Sequence, residues 1–244
     1  MRIRLIVEYE GTNYVGWQRQ LNGLSVQQAL EEAFEKASGE HVCITGAGRT
    51  DAGVHALAQV AQLDTHCTIP PEKISYAMNT FLPMDIRVKS SELADSDFHA
   101  RFCAKGKTYR YTIYQATHPS AIYRNLSWHI RSELDAAAMR EAAQYLFGEH
   151  DFAAFCAAGS EVKDTVRTIH AITITKAEPF LYIEVTGNGF LYNMVRIIVG
   201  TLADAGLGRI PPERVKEILE GRDRNAASPT APAHGLTMVR VFYD

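Results

Sequence analysis

The stretch RIRLIVEY, residues 2–9, sets the type of structure with which the chain begins. Every second residue is large and apolar, which is the period of a strand with one buried face; these residues are Ile3, Leu5, Val7 and Tyr9. A polar loop follows, and then Ser25 and Gln28 form the S-x-x-Q pattern of a helix capping box. An apolar stripe at helical spacing continues from there to Gly39, a residue typical of helix ends.

Further strands and helices are predicted in the same order twice. In the first half these are strands at about 41–46 and 57–64, a helix from about 70 to 81 and a strand in DIRVKS. The second half has a strand in GKTYRYTIYQA and a helix in LDAAAMREAAQYLFG, with Asp135 as its N-cap and Gly148 after its end. The second half continues with a strand hairpin at about 166–175 and 180–187 and with helices at about 190–204 and 212–220. It ends with a strand in LTMVRVFY.

This order predicts an α+β fold made of two tandem ferredoxin-like β-α-β-β-α-β halves. The predicted domains are residues 1–97, which carry a glycine-rich loop, and residues 98–244. We expect a central mixed or antiparallel sheet and a cleft between the halves. The two halves share no sequence identity worth quoting, so the pattern of elements alone supports the duplication.

Composition excludes several classes of protein. The four cysteines are far apart and form no C-x-x-C pair, which argues against a zinc site and a disulfide framework. The first residues lack the apolar run of a signal peptide, and no run in the sequence approaches the roughly 20 apolar residues of a membrane span. We therefore expect a soluble cytoplasmic protein. The net charge is −3, so an anionic partner would have to meet a local basic patch.

Such a patch is predicted in residues 98–132, which contain no Asp or Glu. The segment interleaves cations with aromatic rings: Arg101, Lys105, Lys107, Arg110, Arg124 and Arg131 with Phe98, Phe102, Tyr109, Tyr111, Tyr114, Tyr123 and Trp128. Cations bind phosphates and aromatic faces stack on unpaired bases, so this mixture favours RNA over duplex DNA. The structural alternative is a β-hairpin whose aromatic side chains lie in the core and whose cations are merely solvated.

The glycine-rich loop GAGRTDAGVHA, residues 46–56, has several possible interpretations. A dinucleotide fingerprint is disfavoured because Asp51 stands at its sixth position, where a carboxylate would repel pyrophosphate. A phosphate-binding loop would need a GK[ST] ending, which is absent. The sequence Asp51-Ala52-Gly53 is near the D-[TS]-G of aspartic proteases, but no second copy occurs in the chain.

A single catalytic carboxylate is the remaining functional interpretation. A nearby arginine lowers the pKa of an aspartate, so Asp51 would stay ionised and could act as a nucleophile or a base. A turn capped by Asp51, with a solvated Arg49, is the structural alternative. His55 could be a base or a ligand, but no second ligand has metal spacing, and no G-x-S-x-G elbow supports a serine hydrolase.

Taken together, these segments resemble the tRNA pseudouridine synthase family over essentially the whole chain. The similarity is carried by YEGTNYVGWQRQ, SVQQALEEA, GAGRTDAGVHALAQVAQLDT, DFHARFCAKGKTYRY, FLYNMVRIIVGTL and TAPAHGL, in the family's order. RTDAGVHA is highly specific. The resemblance implies an isomerase that converts uridine to pseudouridine at positions 38, 39 and 40 of the tRNA anticodon stem-loop.

The resemblance also implies a role for each matching residue. Asp51 corresponds to the catalytic aspartate, and Arg49 to the residue that helps to flip the target nucleotide out and fills its place. Tyr109 matches the tyrosine that stacks on the target uracil and is proposed to help remove the C5 proton. Arg196 matches the arginine that pairs with the aspartate, and Leu236 an apolar wall of the pocket.

The expected partners follow from the same resemblance. The enzyme would bind the tRNA anticodon arm as a homodimer and would need no cofactor and no metal, because the isomerisation consumes nothing. Four residues are expected to contact phosphates: Arg101, Lys105, Lys107 and Arg110. Two other functions fit the same chain, a non-catalytic RNA-binding module and a hydrolase that uses Asp51.

Overall fold

A computed structural model describes residues 1–159 and 162–244 and contains ten strands and five α-helices in these ranges. Helices and strands mix in both parts of the chain, which confirms the predicted α+β class. Two compact units are present. Unit 1 consists of Met1–Lys105 together with Thr237–Asp244, and unit 2 of Gly106–Leu236. The functional boundary after residue 97 stays a prediction.

Unit 1 contains the predicted β-α-β-β-α-β order. Its elements are β1 (Arg2–Tyr9), α1 (Val26–Ser38), β2 (Thr45–Gly46), β3 (His55–Asp64), α2 (Ile74–Asn79) and β4 (Ile86–Leu93). β1 lies between β4 and β3 and is antiparallel to both, and β2 is antiparallel to β3. The last strand of the chain, β10 (Leu236–Phe242), adds to this sheet, because Thr237 and Met238 pair in parallel with His55 and Ala56.

The local sequence explains the first two elements of unit 1. The alternating side chains of β1 are buried as predicted, with Ile3, Leu5 and Val7 fully inaccessible. The Ser25 hydroxyl accepts a hydrogen bond from the Gln28 N–H and caps α1. The apolar face of α1 includes Leu30 and is buried in the core of unit 1.

Unit 2 contains five strands, four of which pair in antiparallel fashion, and three helices. Its elements are β5 (Gly106–Gln115), β6 (Trp128–Ile130), α3 (Ala136–Gln144), β7 (Gly148–Asp151), β8 (Val166–Ala177), β9 (Phe180–Gly187), α4 (Met194–Gly206) and α5 (Arg214–Gly221). The strand order is β5-β9-β8-β7, and the short β6 pairs in parallel with β5. The carboxylate of Asp135 caps α3 by accepting from Ala137 and Ala138.

Several predicted boundaries are wrong. The strand expected at 41–46 is only Thr45–Gly46, and the helix expected from 70 begins as a 3-10 turn over Pro71–Lys73. Helix α3 ends at Gln144, so Gly148 does not terminate it but opens β7. Helices α4 and α5 start later than expected, at Met194 and Arg214. Strands β6 and β7 were not predicted, because WHI is short and GEHD is polar.

In the described part of the chain, no helix is long and apolar enough to cross a membrane. Within those same ranges, no group of three or more His, Cys, Asp or Glu side chains could hold a metal ion. The four cysteines are unpaired thiols.

Candidate active site

The 46–56 loop joins β2 to β3 in unit 1 and presents two side chains of opposite charge. Arg49 is exposed, whereas Asp51 is half-buried. Between them Thr50 is only 7% exposed, so the loop alternates between outward and inward side chains. The loop therefore fixes one residue in the protein and presents its two charged neighbours.

Thr50 is held through both its main chain and its side chain. Its carbonyl accepts a hydrogen bond from the Trp17 N–H at 3.0 Å, and its hydroxyl lies 2.8 Å from the Tyr9 hydroxyl. Immediately after it, the Asp51 carbonyl accepts from the Val54 N–H at 3.1 Å and closes a turn. The backbone around Asp51 is thus fixed on both sides, which restricts where its carboxylate can point.

A second set of hydrogen bonds anchors the rest of the loop. The Gln59 side-chain amide donates to the Gly48 carbonyl at 2.8 Å, and the Ala47 N–H donates to the Val60 carbonyl at 2.7 Å. His55 is buried, and its Nδ1 accepts from the Gly11 N–H at 2.9 Å. That contact makes His55 a structural anchor at this nitrogen.

The two aromatic residues that contact Thr50 are buried. Tyr9 is 3% exposed, and burial raises the pKa of its phenol well above the usual range. The Tyr9 ring lies 6.1 Å from that of Trp17, which is also buried. Tyr9 is therefore neutral at physiological pH and acts on the loop as a hydrogen-bonding partner.

Tyr109 lies on β5 in unit 2, opposite Val185 of β9. Its ring meets that of Phe190 edge-on, with 5.2 Å between centroids and 89° between planes. Only 8% of Tyr109 is exposed. The edge contact fixes the plane of the Tyr109 ring, which is the requirement for stacking on a flat ligand.

Arg196 lies in the first turn of α4 and is tied to the segment after α5. Its Nε donates to the Ala231 carbonyl at 2.8 Å, and the Ala231 N–H donates to the Arg196 carbonyl at 3.1 Å. Its Nη1 donates to the Asn193 Oδ1 at 2.6 Å. These bonds orient the guanidinium before any ligand binds.

The segment that leads to Leu236 is fixed against β5. The hydroxyl of the buried Tyr111 donates to the Pro232 carbonyl at 2.8 Å, and Gly235 lies so close to the Tyr111 ring that an added Cβ would come within 2.5 Å of it. Burial raises the pKa of Tyr111, and the charge of Arg196 acts in the opposite direction. Unit 2 therefore brings β5, the start of α4 and the approach to Leu236, itself 5% exposed, into one cluster.

Comparison with known proteins decides the family. A family model described as tRNA pseudouridine synthase matches residues 5–103 and 142–244, which include the 46–56 loop and the Arg196 and Leu236 segments. This chain belongs to the tRNA pseudouridine synthase family. The predicted resemblance and the predicted class of enzyme, an isomerase that acts on tRNA, are thereby confirmed.

Full-length relatives agree with the family model. The chain is 51% identical over 243 residues to tRNA pseudouridine synthase A of Ruminiclostridium cellulolyticum, covering 99% of both chains. It is 49% identical over 241 residues to tRNA pseudouridine synthase A of Acetivibrio thermocellus, again covering 99% of both. With the protein of the same name from Bacillus subtilis the identity is 48% over 246 residues, covering 100% of both.

The basic residues predicted to contact RNA have different environments in this synthase. Arg101 and Lys105 are exposed in unit 1, and Lys107 is half-buried at the start of β5. Arg110 is ion-paired with Glu184 across β5 and β9 at 2.7 Å, and its guanidinium lies over the Tyr182 ring. The charge of Arg110 is therefore already offset by the Glu184 carboxylate, which reduces its attraction for a phosphate.

Sequence reasoning missed the residues that hold the 46–56 loop. Tyr9 was expected only as part of a strand face, and Trp17 only as part of a polar loop. A signal was present, because a tryptophan in the loop GTNYVGWQRQ is costly to expose and indicates an anchor in the core. The hydrogen bond between Tyr9 and Thr50 joins residues 41 positions apart, which no local pattern reveals.

Proposed function

We propose that this chain converts uridine to pseudouridine at positions 38, 39 and 40 of the anticodon stem-loop of tRNA, in the cytoplasm, with Asp51 as the essential catalytic group. One observation carries the proposal: the family match includes the 46–56 loop, in which Asp51 is half-buried beside the anchored Thr50. A half-buried carboxylate on an anchored backbone suits chemistry at one fixed atom better than it suits a solvated turn.

The reaction rearranges bonds within one nucleotide. The N1–C1′ bond breaks, the uracil turns, and a C5–C1′ bond forms. The C5 proton is then lost, and N1 ends with a proton. Since the atoms balance without an added reagent, the proposed chemistry requires only a catalytic carboxylate and a group that removes the C5 proton.

In this proposal Asp51 acts at the sugar or the base by one of three routes. It attacks C1′, attacks C6, or removes a proton from C2′ to leave a glycal. All three need an ionised aspartate, so a cation that stabilises the carboxylate favours each of them. Arg196 is proposed as that cation, and its hydrogen bonds to Ala231 and Asn193 keep its guanidinium oriented.

Three further residues are assigned to the target nucleotide. The target base must leave its stack, at an expense of a few kcal/mol. Arg49 is proposed to help flip it and to fill its place, which suits an exposed side chain. Tyr109 is proposed to stack on the uracil and to assist removal of the C5 proton, and Leu236 to form an apolar wall.

The remaining contacts are proposed to be electrostatic. Arg101, Lys105, Lys107 and Arg110 contact phosphates of the anticodon arm, with Arg110 the weakest of the four because Glu184 already pairs with it. Replacing Arg101 or Lys105 by alanine is expected to weaken tRNA binding and to lower the salt slope of log K by about 1 each. An unchanged slope would argue against these contacts.

We also propose a homodimer, because an anticodon arm needs a longer charged surface than one chain of this size offers. We propose the same division of labour as in the sequence analysis, with residues 1–97 supplying Asp51 and residues 98–244 supplying Tyr109 and Arg196. Sedimentation of the purified protein as a monomer at micromolar concentration would contradict the dimer.

The decisive experiment compares wild type with Asp51→Asn, which preserves the shape of the side chain and removes its charge. The assay is tritium release from tRNA carrying C5-labelled uridine. We expect at least about a 10³-fold loss of rate with tRNA affinity largely intact. Near-normal turnover would refute the role of Asp51. RNA cleavage or release of free base by the wild type would instead indicate a hydrolase.

Mapping pseudouridines in tRNA from cells that lack this protein tests the positions. Loss at 38, 39 and 40 is the expected result. Retention of all three would overturn the assignment of the target.

A further inference from the structure

An aromatic cluster outside the candidate active site is formed by His99, Arg101 and Phe102, here called the Phe102 stack. The centroids of the His99 and Phe102 rings are 4.3 Å apart, and the planes are 35° from parallel. The Arg101 guanidinium carbon lies 5.8 Å from the centre of the Phe102 ring. Phe102 nevertheless remains 78% exposed. An apolar ring is thus presented to solvent while its own neighbours are aromatic and cationic.

The backbone beneath the Phe102 stack is fixed by contacts within unit 1. Arg2 on β1 donates to the Phe98 carbonyl at 2.9 Å, and the Tyr243 hydroxyl donates to the Ala100 carbonyl at 2.7 Å. The Gln62 side chain on β3 accepts from the Ala100 N–H. Phe102 therefore protrudes from an anchored turn, and little backbone conformational entropy is left to lose when a ligand binds it.

His99 is fixed as well. Its Nδ1 accepts hydrogen bonds from the backbone N–H groups of Arg101 and Phe102, at 3.1 and 3.2 Å. This contact sets both the orientation of the imidazole and the nitrogen that acts as acceptor. The imidazole consequently supports one side of the Phe102 ring, as a neighbouring base does within a nucleic-acid stack.

The charge around the Phe102 stack suits an anion. Arg101 and Lys105 are exposed, and within residues 1–159 and 162–244 neither forms an ion pair. Asp95 and Asp97 precede the stack in sequence, and Asp97 interacts with Arg2. These two cations can contact phosphates, and the exposed Phe102 ring beside them can contact a base.

We propose that the Phe102 stack is a second nucleobase site, separate from the site of isomerisation, which binds an unpaired base of the tRNA by stacking while Arg101 and Lys105 contact the flanking phosphates. The proposal rests on tRNA being the substrate under the proposed function. A second copy of this chain fits less well, because one exposed ring between two cations offers little apolar area and like charges would face each other.

The test replaces Phe102 with side chains that distinguish a stacking contact from a general apolar contact. Phe102→Trp keeps a flat face, Phe102→Leu keeps an apolar side chain without one, and Phe102→Ala removes both. Phe147→Ala is the matched control, because Phe147 is 62% exposed and lies in unit 2. The dissociation constant for an anticodon stem-loop RNA is measured by fluorescence anisotropy at fixed ionic strength.

We expect Phe102→Ala and Phe102→Leu to bind about 10- to 100-fold more weakly, and Phe102→Trp and Phe147→Ala to bind like wild type. Wild-type affinity in Phe102→Leu would overturn the proposal, because stacking would then be irrelevant. Unchanged binding in Phe102→Ala, or a shift of that variant from dimer to monomer in sedimentation, would overturn it too. Since Phe102 is exposed, unchanged melting temperatures should accompany all four variants.

A failure of the stacking proposal can be distinguished from a failure of the proposed function. At saturating RNA, tritium release by Phe102→Ala should approach the wild-type rate, since the stack binds substrate and takes no part in the chemistry. A wild-type protein that releases no tritium would refute the isomerase, and the series of dissociation constants would still decide whether Phe102 stacks on RNA.

Discussion

The 46–56 loop of unit 1 and helix α4 of unit 2 each present a candidate catalytic side chain, but they are stabilised by different forces. The loop contains no helix and only the ends of two strands, and it depends on hydrogen bonds to distant residues such as Tyr9, Trp17 and Gln59. Helix α4 is almost entirely buried, with eleven of its thirteen residues in the core. The loop should therefore respond to the loss of single polar groups, and α4 mainly to changes in volume.

The largest effect is expected at Arg196, a charged residue in the first turn of the largely apolar helix α4. Arg196→Met should lower kcat/KM by about 10²- to 10³-fold, because the variant loses the proposed cation beside the carboxylate. Arg196→Lys keeps the charge and loses the fork of donors, so an intermediate rate is expected. The measurement is tritium release under single-turnover conditions. Equal activity of the Met and Lys variants would show that charge at this position is irrelevant.

The second-largest effect is expected from a substitution at Gly16, which packs against the 46–56 loop. Gly16 has φ near +107°, and a Cβ there would lie 2.5 Å from the Thr50 carbonyl. Gly16→Ala is therefore expected to lower the free energy of unfolding by about 2–4 kcal/mol. Gly39→Ala is the control, since Gly39 has φ near +75° with nothing within 4 Å of the added atom. Urea denaturation giving equal losses for both variants would mean that the contact with Thr50 contributes nothing.

A smaller effect separates positioning of the loop from stability. Tyr9→Phe removes the hydroxyl that meets Thr50, and Tyr14→Phe removes the one that donates to Asp85 at 2.6 Å. Each should destabilise the protein by about 1 kcal/mol. Only Tyr9→Phe should also lower kcat, by about 10-fold, because the Asp51 backbone loses a restraint. If both variants keep the wild-type kcat, the Tyr9 contact is purely structural.

The smallest effect concerns a polar anchor of unit 2. The Thr165 hydroxyl lowers the pKa of Asp151, with further help from the Ala153 N–H and Arg222. A lowered pKa contributes stability above the unfolded value near 4, and this contribution disappears as the pH falls through the folded value. Asp151→Asn should thus be destabilised by at most about 1 kcal/mol at pH 7, and the difference from wild type should disappear once the pH has fallen below the lowered pKa of Asp151. A difference that grows on acidification would reverse the sign.

The elements that the sequence predicts well are those specified locally. Strand β1 follows from its alternation, and the starts of α1 and α3 follow from Ser25 and Asp135, whose side chains bond to the next turn of the same helix. Boundaries set by distant partners were missed. Strand β7 has the polar sequence GEHD and forms because β8 pairs with it. Helix α4 starts late, after Asn193, whose φ is +59°.

In the candidate site, too, the sequence identified some features and missed those that depend on distant contacts. The identities of Asp51, Tyr109 and Arg196 came from a resemblance that the family match confirms as a whole, while their individual roles stay proposals. The anchors could not be predicted, because the contacts of Thr50 with Tyr9 and Trp17 and of Arg196 with Ala231 join residues more than thirty positions apart. Periodicity and capping rules describe only neighbours along the chain.

The parallel pairing of β10 with β3 has a consequence for the order of events during synthesis. Thr237 pairs with His55, the first residue of β3 and the anchor of the 46–56 loop, so unit 1 needs both the beginning and the end of the chain. A nascent chain that has just released residue 105 from the ribosome lacks one strand of this unit, and all of unit 2 must be translated before that strand emerges. The loop that carries Asp51 thus acquires the support of β10 only after all of unit 2 has been synthesised.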